Sequence, residues 1–205
     1  MDTSVHGVVS LADWRREVSE LYGSIRADGD HARAWEGWRD KRREMFSSHP
    51  QSPIPAGDRA SYDGPFVYPY DPAARVLADL EPLEGDVVEV GTSDGHATRM
   101  IRFARGHCEL FGRLAALDVF WLEQYGGGIY LAFRDATSGD ATYGGGRYLL
   151  DTVKGADLGT DGERLVLDFN FAYQPSCSYD PSWSCPLPPP QNTLLFGVPV
   201  GERLD

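Results

Sequence analysis

Lysine is nearly absent from this chain: Lys41 and Lys154 stand beside 17 arginines. Positive charge as a whole is in deficit, with 19 basic against 31 acidic side chains and a net charge of -12. Phosphate backbones bind basic faces, so this balance argues against a nucleic-acid partner. Long apolar runs are missing too. Nothing approaches the roughly 20 residues needed to cross a bilayer, which reads as no membrane span. Met1 to Ser10 are acidic and polar, without the basic start and apolar stretch of a secretory leader. Cysteine is scarce. Cys108, Cys177 and Cys185, in a chain with no leader, read as reduced thiols and a cytoplasmic location.

What is present suffices for a packed core: 41% of the residues are hydrophobic and 12% aromatic. The pattern divides the chain into an N-terminal helical segment, 1–55, packed on a β-rich domain, 56–205. Leu11, Trp14, Val18, Leu21, Tyr22 and Ile25 mark one helical stripe, and Ala32 to Phe46 carries a second with Trp35 and Trp38 on it. Pro50, Pro53 and Pro55 stop that helix. From Arg75 onward, short apolar runs alternate with glycine-rich turns, the signature of antiparallel β-structure. The runs predict strands over Val87–Val90, Thr98–Phe103, Glu109–Leu114, Leu117–Leu122, Ile129–Phe133, Arg147–Thr152 and Arg164–Asn170. Turns this tight leave no room for crossover helices, so the expected fold is mainly β: an antiparallel barrel, or a sandwich. Six prolines between Pro175 and Pro190 predict a stiff strap across the sheet.

Val87 to His96 imitates the nucleotide loop of a methyltransferase that uses S-adenosylmethionine, with Asp118 placed 23 residues beyond Gly95 as a ribose-binding acid. The 110 residues beyond Gly95 hold glycine turns and a proline strap where such a fold needs helices. Asp94-Gly95 therefore reads as a hairpin turn, and no organic cofactor is expected.

One succession is far more specific. Phe133-Arg134-Asp135-Ala136-Thr137-Ser138-Gly139 precedes Thr142-Tyr143-Gly144-Gly145-Gly146-Arg147-Tyr148-Leu149. Leu167-Asp168-Phe169-Asn170, Ala172-Tyr173, Pro175 with Cys177, and Ser184-Cys185-Pro186-Leu187-Pro188-Pro189-Pro190 with Asn192 follow. The series closely resembles the prokaryotic family catalogued as domain of unknown function 1684. The likeness extends back through Trp38-Arg39, Arg42, Phe46 and Ser52-Pro53-Ile54-Pro55. It implies a fold and a residue set, and no reaction. Members usually carry a basic residue where this chain has Phe171, and an arginine where it has Thr193. Those departures imply a changed ligand, for instance one lacking a carboxylate or phosphate.

The residues themselves suggest candidates. Asp168 and Asn170, two apart, would share one face of a strand and could act as general base and orienting amide. The alternative is a strand end whose polar groups satisfy nearby backbone. Arg147 could clamp an anion, or pair with Asp151 or Asp168. Cys177 is the candidate nucleophile, although buried cysteines are commonly inert. Tyr143, Tyr148 and Tyr173, with Cys185 and Asn192, form the candidate ligand-binding set, or the tyrosines simply fill a core. The gap of eight between Cys177 and Cys185 matches neither a zinc knuckle nor a redox Cys-x-x-Cys, so no metal site is expected. The expected activity is cofactor-independent acid/base chemistry (lyase, isomerase/cyclase or hydrolase type) on a small organic molecule, in the setting of specialised metabolism. The alternative is a small-ligand-binding β-barrel without turnover. A homodimer is compatible with either reading.

Overall fold

The structure, a computed structural model, describes residues 4–123 and 125–205. The first three residues of the polar N-terminus thus lie outside the described residues. Two helices come first, α1 (Val5–Ala27) and α2 (His31–Ser48). Each has a side-chain cap: Ser4 Oγ accepts from Gly7 N at 3.0 Å, and Asp30 accepts from Arg33 N at 3.1 Å.

Seven strands follow: β1 (Arg75–Gly91), β2 (Ala97–Leu110), β3 (Arg113–Leu122), β4 (Ile129–Phe133), β5 (Arg147–Asp151), β6 (Thr160–Asp161) and β7 (Arg164–Asp168). They form one antiparallel sheet in the order β5-β4-β3-β2-β1-β7-β6. β1 serves two partners. Arg75–Ala78 pair with β7, whereas Asp79–Gly91 pair with β2. Its register with β2 shifts between Pro82 and Asp86, where proline cannot donate to the ladder. The terminal strands β5 and β6 do not pair with each other, so strand pairing leaves the sheet open and does not close it into a barrel. The β5 edge is covered instead. Tyr148 and Tyr173 exchange backbone hydrogen bonds of 2.8 and 2.9 Å, which caps it with the start of the strap.

Thr92 to His96 join β1 to β2 as a turn, with Gly95 at φ 84° and Asp94 accepting from Thr92 Oγ1. A strand–turn–strand unit stands where a methyltransferase loop would need a helix. The strand expected over Glu109–Leu114 is instead the β2–β3 turn. Phe111 (φ 53°) and Gly112 (φ 72°) both adopt left-handed backbone, as a two-residue hairpin turn requires. A bulky phenylalanine concealed that signal. The last predicted strand ends at Asp168, and Phe169–Phe171 form a 3-10 turn. The proline segment crosses the sheet in part as expected: Pro175 and Pro189 have polyproline dihedrals, and Leu187 N donates to Gly91 O at 2.8 Å. A 3-10 turn at Ser176–Ser178 and a turn at Pro181–Trp183, however, interrupt the stiff strap.

The helices share the core of the sheet. Tyr22, Ile25, Trp35 and Trp38 pack in one cluster with Leu117, Leu131, Leu149 and Leu167. Trp38 meets Phe171 edge-on, with centroids 5.6 Å apart. All five residues of β5 are buried, between the helices and the strap.

Gly201 closes the chain onto this core. Its φ is 75°, and a Cβ there would lie 2.6 Å from Ala172 O. Gly201→Ala should therefore destabilise the fold by more than the roughly 1–2 kcal/mol of a left-handed L-residue alone. Gly95, at φ 84°, has open space around it. Gly95→Asn should cost less than about 1 kcal/mol, since asparagine tolerates this conformation. Urea unfolding of the two variants compares these costs.

Candidate functional site

The structure scatters the four candidate catalytic residues. Arg147, 1% exposed, pairs with neither Asp151 nor Asp168. Its Nη2 donates to Asp135 Oδ2 and to Val198 O, both at 2.8 Å, and its Nη1 donates to Val200 O and Glu202 O. Asp135, in the β4–β5 connection, has its second oxygen engaged by Val198 N and Thr137. The guanidinium is thus fixed to the C-terminal segment. No anion clamp forms.

Asp168 and Asn170 do meet, though as a turn and not as strand neighbours. Asp168 Oδ1 accepts from Asn170 N (3.1 Å) and Nδ2 (2.8 Å). Asn170 also donates to Asp71 O and accepts from Asp71 N, so its amide is fully engaged. Asp168 Oδ2 lies 4.0 Å from Arg75. The carboxyl borders a polar cavity of about 240 Å³ with His31, Arg75, Arg26 and Thr160. Burial pushes its pKa above the ordinary carboxylate value, against the opposing effects of Asn170 and Arg75. Phe171 lines the same cavity. Thr193 is exposed elsewhere.

Asn192 is likewise absorbed by backbone. It donates to Asp118 O and Ala132 O, each at 2.9 Å, and accepts from Asp118 N at 2.7 Å.

The remaining candidates converge. Tyr143, Tyr148, Tyr173, Cys177 and Cys185 belong to one cluster beneath the strap, with Tyr130 and Phe120. Tyr148 donates to Pro186 O at 2.6 Å, and its ring meets those of Tyr130 and Tyr173 edge-on. Burial raises the pKa of all three of these hydroxyls, so they stay protonated. Cys185 Sγ accepts from Cys177 N at 3.3 Å, and Cys177 Sγ lies 3.8 Å from Tyr143 Oη. The adjacent Cys185 thiol, outweighing burial, lowers the pKa of Cys177 to about 6. The same pairing, with burial, raises that of Cys185.

Tyr148, Tyr173 and Cys185 wall a cavity of about 70 Å³ between the helices, β5 and the strap. Three of its other lining residues were missed by sequence reasoning: Tyr22, Arg42 and Asp151. Tyr22 and Arg42 sit on helical stripes, where an apolar-face reading hides them. Arg42 packs against the rings of Trp38, Phe46 and Tyr173, with centroids 4.6–5.1 Å away, and pairs with buried Glu202 at 2.6 Å. Tyr22 is 2% exposed. Neither its hydroxyl nor the neighbouring Trp38 indole N–H makes a well-formed hydrogen bond among the described residues.

Asp13, Glu17 and His49 gather closely enough to suggest a cation. His49 Nδ1, however, accepts from Gln51 N at 3.0 Å, which places the ring proton on Nε2, the nitrogen facing both carboxylates. Glu17 is also held by Lys41 at 2.8 Å. The cluster reads as a charge network capping the helix pair.

An open antiparallel sheet, roofed by a helical pair and crossed by a proline strap over an aromatic cavity, defines this class of protein. The model of the family described as Protein of unknown function (DUF1684) matches residues 60–203, and the chain belongs to that family. It is similar to the solution NMR structure of the uncharacterised protein from gene locus rrnAC0354 of Haloarcula marismortui. The two are 35% identical over 83% of this chain and 92% of that one, with a TM-score of 0.59. No curated protein matches the chain.

The raised pKa of Asp168 has a sign that can be tested. The folded state holds this proton more tightly than the unfolded chain, whose value is near 3.8. Its contribution to stability is therefore greatest at low pH and is lost as pH rises from there through the folded pKa. Asp168→Asn keeps an oxygen for the Asn170 donors and removes that loss. Near pH 7 its melting temperature should equal or exceed that of the wild type, with a flatter profile above pH 4. A marked fall in melting temperature at neutral pH would show that the ionised carboxylate is needed.

Proposed function

We propose that the protein binds a small organic molecule in the cavity between the helical pair and β5. The observation that carries this reading is convergence: Tyr148, Tyr173 and Cys185 line one cavity, and Tyr22, whose buried hydroxyl makes no well-formed bond, stands in its wall. A water needs about 10–15 Å³ on this measure. The space of about 70 Å³ therefore suits a ligand of a few heavy atoms. Arg42 and Lys154, paired with Glu202 and Asp151 respectively, and Tyr22 supply polar groups, while Phe46, Tyr148 and Tyr173 supply apolar faces. The ligand chemistry that fits is a planar carbonyl or carboxylate with a small apolar body. The Phe171 and Thr193 departures lie away from this cavity and do not bear on its ligand. This reading holds whether the sheet is grouped with barrels or with sandwiches.

A second reading keeps catalysis, at Asp168. A carboxyl with raised pKa beside His31 and Arg75 in a polar cavity has the attributes of a proton-transfer group. It would act without Arg147, Asn192 or the cysteines, whose polar groups are engaged elsewhere.

Tyr22→Phe distinguishes the first reading from a purely structural cavity. Loss of a hydroxyl without a well-formed bond should leave stability within about 0.5 kcal/mol of wild type, or raise it. Titration with a series of small monocarboxylates, followed by NMR, should perturb amides of β5 and α2 in the wild type. The variant should bind at least about fivefold more weakly, the effect of one hydrogen bond of roughly 1 kcal/mol. Absence of any perturbation around Tyr148 and Arg42 would contradict the proposal.

A further inference from the structure

Cys177 and Cys185 stand at the two ends of the central stretch of the strap, and the fold brings the two residues together, with Cys185 Sγ 3.3 Å from Cys177 N. All three cysteines are free thiols, and exposure does not separate them: Cys177 is 7% exposed, Cys185 4% and Cys108 8%. Their surroundings do. Cys108 sits among apolar groups, and burial alone raises its pKa to about 11. Cys177 faces the Tyr143 hydroxyl 3.8 Å away and has the Cys185 thiol beside it, and its pKa falls to about 6. Burial pushes the Tyr143 hydroxyl up to about 12, so it keeps its proton and can donate to a thiolate. Cys185 Sγ is also held against the backbone of its partner by Cys177 N. These contacts position one sulfur to attack and the other to follow.

We propose that Cys177 and Cys185 form a dithiol oxidation site for hydroperoxides, in which Cys177 attacks and Cys185 resolves to a Cys177–Cys185 disulfide. In the first step the Cys177 thiolate attacks a peroxide oxygen. The S–O bond forms as the O–O bond breaks, and the departing hydroxide takes a proton to leave as water, or as an alcohol from an alkyl hydroperoxide. In the second step Cys185 sulfur attacks the Cys177 sulfenic acid. The S–S bond forms, the S–O bond breaks, and the leaving hydroxide carries off the Cys185 proton as water. Two thiols lose two electrons, and one hydrogen peroxide becomes two waters. Cys185 lines the cavity of the helical pair, so the disulfide would also alter that wall.

The test treats the full-length folded protein with hydrogen peroxide, alkylates remaining thiols under denaturing conditions and maps the peptides by mass. The expected product is a Cys177–Cys185 disulfide with Cys108 still alkylated, formed at a rate that climbs as pH rises through about 6. In Cys185→Ser, dimedone should trap a sulfenic acid at Cys177. Wild-type mapping stands alone if that variant does not fold. Equal oxidation of Cys177 and Cys108 would overturn the proposal. So would accumulation of a Cys177 sulfinic acid without a disulfide, or both thiols remaining alkylatable.

Discussion

Arg147 and Glu202 are two buried charges that bind the C-terminal segment to opposite sides of the molecule. Arg147, on β5, donates to three successive carbonyls of the alternating residues Val198, Val200 and Glu202, with Asp135 as counterion. Glu202, fully buried, reaches away to Arg42 on α2, while its second oxygen accepts from Gln174 N and Tyr179 Oη. Sheet, strap and helices therefore meet on five residues of chain. Desolvating such charges costs several kcal/mol each, repaid only while every partner is in place. Loss of one partner of a buried pair costs about 3–5 kcal/mol. The cavity wall formed by Arg42, Tyr173 and Tyr148 exists because this network holds.

That constraint explains why the long shared motif yields so little chemistry. Its polar residues look catalytic in sequence because they are polar amid apolar neighbours. Arg147, Asn170 and Asn192 occupy those positions because loops and strap contribute backbone groups to the interior, where each needs a partner. Asn192 alone satisfies three backbone groups across two strands.

Much of the fold was legible. Helical stripes, glycine turns and proline spacing are local signals, and α1, α2, β4, the Asp94-Gly95 turn and the strap follow from them. The first half of β1, from Arg75, escaped because Asp79, Glu81 and Pro82 interrupt its pattern, while pairing first with β7 and then with β2 sustains it. The Asp135 partner of Arg147 was within view in the motif, yet nothing local distinguishes it from Asp151 or Asp168. Half of the site was legible as well: the tyrosines and cysteines do cluster. Tyr22 and Arg42 come from helices far away in sequence, and only tertiary packing delivers them.

The C-terminal segment can be examined directly through native-state hydrogen exchange. Val198 N donates to Asp135 and Glu202 N donates to Ala172 O at 2.8 Å. If the buried charges hold this segment as part of the core, both amides should exchange only through global unfolding, with the same free energy and denaturant dependence as amides of β7. Exchange at a much lower free energy, insensitive to denaturant while β7 stays protected, would mean that the segment opens by itself and that the network does not hold the fold together.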